Sequence, residues 1–197
     1  MISHFISVDP GVTYTGIALW KTITDKTSLN YFQWQLKETS LIQNKLETSW
    51  EDRVFATCDE FRNLIRKMMA ECWQEGQGKL SGVAIEYPEY YATSLVGQTA
   101  ALAGSLVKLS ILVGMYARVC QELSLNCLFI PAKQWKGQLP KQVVVNRLKK
   151  RFGDAYLKNV RKDAFDAIGV GLWILDSYSN GDIAPLVTLV QEQPITS

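Results

Sequence analysis

The segment HFISVDPGVTYTG, residues 4–16, decides the fold. It opens with an apolar run that predicts a short buried strand, and this strand ends on a carboxylate, Asp9. The Pro-Gly pair that follows predicts a turn. Apolar residues resume at 15–20, and aromatic and polar residues alternate at 29–36. The pattern predicts an antiparallel meander of three strands, the first of which carries an acid at its end.

Beyond the meander, helices and strands alternate. We predict a polar loop at 40–49 and an amphipathic helix at 51–73, where apolar residues recur every three or four positions. The remaining predicted elements are a strand at 83–86, a long helix from about 94 to 123, a strand at 126–130, a basic helix at 141–152 and a last helix at 161–178. This order predicts an α/β fold, a sheet covered by helices.

Four carboxylates stand at informative places in these elements. Asp9 and Glu86 end two of the strands, and Asp163 and Asp166 are three residues apart near the start of the last helix, so they share one face. An acid on the packed side of a helix is costly unless it is paired or bound to a cation. Oxygen ligands suit Mg²⁺, and two such ions can support phosphodiester hydrolysis. Taken singly, Asp9 could instead cap a turn and Asp163 could cap a helix.

Charge is distributed unevenly along the chain. Residues 131–162 contain ten basic side chains, Lys133, Lys136 and Lys141 among them, and a single acid, Asp154. The net charge of the whole chain is only +2, so the rest of it is acidic. Such asymmetry is typical of contact with a polyanion, although a solvated basic helix face is the alternative. Together with the carboxylates, it favours a nucleic-acid substrate.

Composition excludes several classes of protein. With 197 residues, 47% hydrophobic and 20% charged, the chain is neither disordered, collagenous nor a small disulfide scaffold. The four cysteines lack C-x-x-C spacing and there is one histidine, which disfavours a zinc site.

The N-terminus has no signal-peptide pattern, so we expect a cytoplasmic protein. Polar residues interrupt the nearly uncharged segment 94–117, which disfavours a membrane span. The segment is better explained as a helix buried against the sheet of its own domain or in a homodimer interface.

Three motifs carry a resemblance to a known family. They are Asp-Pro-Gly-x-x-x-Thr-Gly at 9–16, Ala-Ile-Glu at 84–86 and Asp-Ala-x-Asp-Ala at 163–167. In this order they resemble the RuvC Holliday junction resolvases of the RNase H-like superfamily. The resemblance implies a mixed five-stranded sheet flanked by helices, with a nuclease domain at 1–180 and a tail at 181–197. It also implies a homodimer that cuts four-way DNA junctions symmetrically, using Mg²⁺ or Mn²⁺, with two ions in each active site.

The resemblance also implies roles for individual residues. It makes metal ligands of four acids, namely Asp9, Glu86, Asp163 and Asp166. It gives Lys136 a catalytic role and assigns DNA contact to Lys133, Lys136 and Lys141. In the loop after Glu86, Tyr90 or Tyr91 would open the junction. The chain departs from the family in this Tyr-Pro-Glu-Tyr-Tyr loop, in extra length between residues 36 and 51, and in its tail, which leaves substrate choice open.

Other functions compete with this hypothesis. The same metal chemistry would serve an RNase H-like nuclease acting on RNA–DNA hybrids or other branched DNA. An actin-like ATP-binding protein also begins with a strand and Asp-x-Gly, but it needs two such halves and a longer chain, so we expect no nucleotide cofactor. A non-catalytic DNA-binding module gains nothing from four buried acids, which disfavours it.

Overall fold

The computed structural model describes residues 2–25, 28–44, 49–74, 78–89, 104–137 and 139–180. Within them, one sheet contains the strands β1 (Ile2–Asp9), β2 (Tyr14–Asp25), β3 (Ser28–Gln43), β4 (Lys79–Tyr87) and β5 (Asn126–Pro131). Their order across the sheet is β3-β2-β1-β4-β5. Strand β2 is antiparallel to both of its neighbours, whereas β1, β4 and β5 run parallel to one another. The expected mixed five-stranded sheet is confirmed.

The helices of the described residues are α1 (Trp50–Gln74), α2 (Ser105–Glu122), α3 (Ala132–Trp135), α4 (Lys141–Phe152), α5 (Asp154–Leu157) and α6 (Phe165–Ser179). A short 3₁₀ turn, Lys162–Ala164, precedes α6. The sequence predicts α1 and α4 to within one residue at each end. It does not predict α3 or α5, because four residues are too few to show helical periodicity. In the described part of the chain no helix is long and apolar enough to span a membrane.

Alternate residues of β1 point to opposite faces of the sheet. Ile6 and Val8 are fully buried in a cluster with apolar residues of α1 and α2. Phe5 is fully buried in a second cluster, on the face covered by α4 and α6. On that face the Ser7 hydroxyl donates a hydrogen bond of 2.7 Å to the carbonyl of Ala167. The alternation therefore directs the next odd-numbered residue of the strand, Asp9, toward α6.

Helix α1 covers the face of the sheet that lies opposite to α6. The apolar positions that predict this helix are all buried, namely Val54, Cys58, Phe61, Ile65, Met68 and Cys72. The ring of Phe61 stacks on that of Tyr116 in α2, with centroids 4.0 Å apart. Full burial of a large apolar side chain stabilises a fold by about 1.5–3 kcal/mol, so this layer contributes to the stability of the sheet.

Several of the predicted boundaries are wrong, since β2 runs on to Asp25 and β4 begins as early as Lys79. Residues 40–43 belong to β3 rather than to a loop, because they pair with β2 as far as Gln43 opposite Tyr14. Such cross-strand pairing outweighs a polar composition. The last helix begins at Phe165 rather than at residue 161, because the preceding residues form the 3₁₀ turn. The long helix predicted at 94–123 is not continuous, because Gly104 has a left-handed backbone (φ 68°) and α2 begins after it at Ser105; residues 94–103 lie outside the described residues.

Candidate active site

Two adjacent parallel strands deliver two of the predicted acids to one edge of the sheet. Val8 of β1 lies opposite Ile85 of β4 in the parallel register. The next residues, Asp9 and Glu86, therefore leave neighbouring strands at the same edge. Their side chains share the face covered by α6, because residues alternate between faces along each strand.

The third acid comes from the first turn of α6. This helix packs across β1, β2 and β4, which holds Asp166 over the end of the sheet. The side chain of Asp166 is 15% exposed and that of Glu86 is 13% exposed. We call Asp9, Glu86 and Asp166 the acidic cluster. Three separate elements thus bring partly buried carboxylates to one place, as the sequence predicts for these three.

Two lysines contact the acidic cluster. The ammonium of Lys136, which follows α3, donates to Glu86 Oε1 at 3.0 Å and lies 3.8 Å from Asp166 Oδ2. Lys141 begins α4, and its Nζ lies 3.9 Å from the same oxygen of Asp166. The sequence led us to expect both lysines at the substrate phosphate. In this structure Lys136 bridges two of the acids.

Burial and mutual repulsion govern the charge of the acidic cluster. Burial raises the pKa of Asp9 well above its usual value, and the nearby charges of Glu86 and Asp166 raise it further. Burial also raises the pKa of Glu86, although Lys136 opposes this. Burial alone would lower the pKa of Lys136, but Glu86 and Asp166 outweigh it and the pKa is raised. The site therefore disfavours a full set of charged carboxylates, and either a proton or a further cation would relieve their repulsion.

A tryptophan that sequence reasoning missed holds the second oxygen of Glu86. The indole N–H of Trp135 donates to Glu86 Oε2 at 3.2 Å. Its ring packs against Gly169 in α6, where an added Cβ would lie only 2.3 Å from the ring. The ring also lies beneath Lys136, whose Nζ is 4.8 Å from the ring centroid. A glycine three residues after Asp166 is a signal for such close packing, but the sequence does not say which side chain fills the space.

We expect Trp135→Phe to weaken catalysis more than stability. Phenylalanine keeps an aromatic ring on Gly169 but cannot donate to Glu86, so the carboxylate loses one of its two hydrogen bonds. Loss of a group that orients a ligating carboxylate lowers metal affinity or activity by about 10–100-fold. DNA cleavage, the activity that the resemblance implies, and thermal unfolding of the variant measure the two effects. Trp73→Phe is the matched control, because Trp73 is 80% exposed on α1. Equal cleavage by both variants would contradict a positioning role for Trp135.

The remaining predicted site residues are Asp163, Lys133, Tyr90 and Tyr91. Asp163 is in the 3₁₀ turn, and no hydrogen bond or ion pair among the described residues joins its side chain to the acidic cluster. Lys133 is exposed in α3, where its backbone N–H donates to Glu89 Oε2 at 3.4 Å. Tyr90 and Tyr91 lie outside the described residues.

The donors of the acidic cluster suit a hard divalent cation, since all of them are carboxylate oxygens. The crowding of Asp9 by Glu86 and Asp166 favours such an ion, because both charges raise the pKa of its buried carboxyl and a cation would offset them. Across the described residues, no three Asp, Glu, His or Cys side chains are close enough together to hold a metal ion as they stand. Lys136 already pairs with Glu86 at 3.0 Å and lies 3.8 Å from Asp166. The residues present fit the ion in the chemistry of their donor atoms, but in this structure they are not spaced to hold it.

Comparison with solved structures gives the fold of the chain. Thermus thermophilus RuvC in complex with a Holliday junction substrate superposes with a TM-score of 0.60 at 15% identity, covering 92% of this chain and 98% of that one. A second Thermus thermophilus RuvC structure gives the same values. The fowlpox virus resolvase bound to Holliday junction DNA also has 15% identity, with 93% and 99% coverage, but its TM-score is 0.40. No protein-family model and no curated protein matches the sequence.

The two RuvC structures establish that this chain has the RNase H-like fold. At 15% identity the likeness carries the fold alone. The chemistry of the chain has to be argued from its own residues, of which the acidic cluster and its two lysines are the most informative.

Proposed function

We propose that this protein is a metal-dependent endonuclease that cuts four-way DNA junctions by hydrolysing phosphodiester bonds. The observation that carries the proposal is the convergence of three carboxylates from β1, β4 and α6 beside Lys136 and Lys141. Carboxylates hold divalent cations, and lysines hold phosphates. A site that combines both groups suits attack on a phosphodiester.

Asp9, Glu86 and Asp166 would hold Mg²⁺ or Mn²⁺, with Asp163 as a fourth candidate ligand. Such ions, when bound, activate water and stabilise the leaving oxygen. Trp135 fixes the orientation of Glu86. Lys136 would exchange partners during the reaction, because its ammonium pairs with the acids here and would pair with a phosphate when substrate arrives. Lys141 would hold the same phosphate from the start of α4.

The basic segment supports DNA as the substrate. Helix α4 carries exposed cations along its length, among them Lys149, Lys150 and Arg151 in its last turn. They continue the positive surface that begins at Lys136 and Lys141. Phosphate contacts of this kind provide most of the affinity of proteins for DNA and position the strand without reading its sequence.

Branched DNA is favoured over a plain duplex by the proposed dimer. Two copies related by a twofold axis would present two acidic clusters, and a four-way junction offers two equivalent strands to cut. The RuvC structure with the same fold was solved with a Holliday junction. By this proposal, the protein makes paired, symmetric cuts.

One cleavage experiment tests the proposed function. The purified protein is incubated with labelled four-way junction, linear duplex and RNA–DNA hybrid, each with Mg²⁺ or with EDTA. We expect paired nicks in the junction that require Mg²⁺. If the protein cut only the RNA–DNA hybrid, the hybrid rather than the junction would be its substrate. Binding without cutting of any DNA would favour a non-catalytic module.

Helix α2 provides the surface for the proposed homodimer. Val107 is 61% exposed and Ile111, one turn later, is 42% exposed, although both are apolar. Lys108 on another side of the same helix lies 5.4 Å from the ring centroid of Trp50, so the two faces of α2 differ in character. A second copy of the chain would cover this apolar stripe and remove it from water.

We expect Val107→Asp to convert the dimer into a monomer. A charge placed at an apolar C2 interface meets its own copy across the axis and costs burial energy as well as repulsion. Sedimentation equilibrium at micromolar concentration measures the mass. Tyr156→Asp is the control, because Tyr156 is exposed on α5, against the opposite face of the sheet. A wild-type mass of 22.2 kDa, with junction DNA also present, would contradict the dimer.

A further inference from the structure

A groove beside the acidic cluster takes no part in the chemistry proposed for that cluster. It is a cavity of about 630 Å³ between α4, α5 and the start of α6. Its floor is apolar, formed by Val145, Leu157 and Phe165. Lysines stand around it, namely Lys141, Lys149, Lys158 and Lys162. We call it the lysine-rimmed groove.

The groove begins at the proposed active site. Lys141 lines it, and the ammonium of the same residue lies 3.9 Å from Asp166 Oδ2. Phe165 in the floor is the residue immediately before Asp166. A polymer whose phosphate lies at the acidic cluster would therefore meet the lysine-rimmed groove within a short distance along its chain.

Two of the four rim lysines are paired with carboxylates, and one of these is Lys141, which lies near Asp166. Lys149 pairs with Asp154 at 2.9 Å. Within the described part of the chain, Lys158 and Lys162 form no ion pair. The groove therefore offers free cations at its edge and apolar surface at its base. A nucleic-acid strand has the complementary arrangement, with phosphates along its backbone and apolar faces on its sugars and bases.

We propose that the lysine-rimmed groove binds the substrate strand on one side of the scissile phosphate, with Lys158 and Lys162 contacting its phosphates. This inference rests on the proposed function and names the path of the strand that the function requires. The volume of about 630 Å³ is within the range of roughly 300–1,000 Å³ that is typical of ligand pockets. An acidic peptide would satisfy the lysines, but the continuity with Lys141 and Asp166 favours the strand that is to be cut.

Three sets of variants distinguish DNA binding in the groove from general electrostatic attraction of DNA to the protein. Lys158→Gln with Lys162→Gln removes the free cations and keeps the shape. Ala155→Trp, at an exposed position that lines the groove, fills it and keeps the charges. Arg66→Gln with Lys67→Gln is the charge-matched control, because both residues are exposed on α1, on the opposite face of the sheet. Thermal unfolding verifies that each variant is folded.

Affinity for labelled junction DNA is measured in EDTA, so that binding is recorded without cutting. The salt dependence of log K should become less steep by about 0.7–0.9 for each phosphate that the double lysine variant no longer neutralises, and should not change in the control. Ala155→Trp should also weaken binding. Neutral methylphosphonates placed singly on each side of the cut should weaken binding to the wild type on one side, and should have no effect there in the double lysine variant.

The outcomes test the binding role of the groove independently of the proposed nuclease function. Loss of the methylphosphonate effect in the double lysine variant supports the groove, even if the wild type never cuts the junction. Equal salt dependence and equal methylphosphonate effects in the wild type and this variant overturn the groove, even if junction cutting is normal. Weaker binding by the lysine variant without any effect of Ala155→Trp also overturns it, because only diffuse attraction would then act.

Discussion

Replacing any member of the acidic cluster by its amide should abolish DNA cutting and leave DNA binding intact. Asp9→Asn, Glu86→Gln and Asp166→Asn preserve the shape of each side chain but remove a negative ligand from a buried, crowded site. A bound ion supplies several kcal/mol of stabilisation to the transition state, and each 1.36 kcal/mol is tenfold in rate, so we expect losses of about 10²–10³-fold or more.

DNA binding should survive these substitutions for an electrostatic reason. Phosphates are attracted by lysines and arginines, and the acidic cluster repels them. Removing one negative charge in EDTA should therefore leave the affinity for junction DNA unchanged or slightly higher. Gel-shift titration measures the affinity, and single-turnover cleavage with Mg²⁺ measures the rate.

A surface acid provides the matched control for the amide substitutions. Asp59→Asn makes the same chemical change in α1, where Asp59 pairs with Arg62 on the exposed side of the helix. This variant should cut and bind like the wild type. A variant of Asp9, Glu86 or Asp166 that cuts at the wild-type rate would remove that residue from the site.

Asp163 needs the same substitution as a separate test. Its place three residues before Asp166 predicts a fourth ligand, and on that basis Asp163→Asn should also abolish cutting. In the structure it lies in the 3₁₀ turn, with no described contact to the acidic cluster. Normal cutting by Asp163→Asn would reduce the site to three carboxylates.

The sequence predicts those parts of the site that are fixed by strand ends. Asp9 and Glu86 each close an apolar run, and parallel neighbours in a sheet bring such ends to one edge. The amphipathic pattern of α1 is equally readable, since all of its predicted inward positions are buried. In these cases one short segment contains all of the information.

Contacts between distant segments could not be predicted in the same way. Trp135 reaches Glu86 across 49 positions of the chain, from a helix of only four residues. No local pattern marks that contact, because it depends on where β5 ends and on the space above Gly169. The bridging position of Lys136 has the same origin. Sequence reasoning found the residue but not its partners.

Gly16→Ala is expected to destabilise the fold and to misplace the acidic cluster. A Cβ at this position of β2 would lie 2.4 Å from the carbonyl oxygen of Asp163 and 3.0 Å from the Cα of Ala164. Both obstacles are backbone atoms, so no side-chain rotation relieves the clash. The 3₁₀ turn must move away from the sheet, and Asp166 lies just beyond it in the chain.

The expected cost is about 1–3 kcal/mol in the free energy of unfolding, which is typical of overpacking in a close-packed interior. Urea denaturation measures this cost. Gly114→Ala is the matched control, since an added methyl there meets no described atom within 4 Å and alanine favours a helix by up to about 1 kcal/mol. For the denaturation measurement alone, both variants are made in the Val107→Asp background, so that association through α2 does not enter the comparison; cleavage is measured without this substitution.

Cleavage separates the two consequences of Gly16→Ala. If the turn positions Asp166, cutting at a temperature where the variant is fully folded should still fall, because the carboxylate no longer meets Lys136 and Lys141 at 3.8 and 3.9 Å. A destabilised variant that cuts normally when folded would show that the turn adapts without moving Asp166. Gly16, which ends the Asp-Pro-Gly-x-x-x-Thr-Gly motif, would then contribute to stability alone. Asp9 would be the residue through which this motif contributes to the active site.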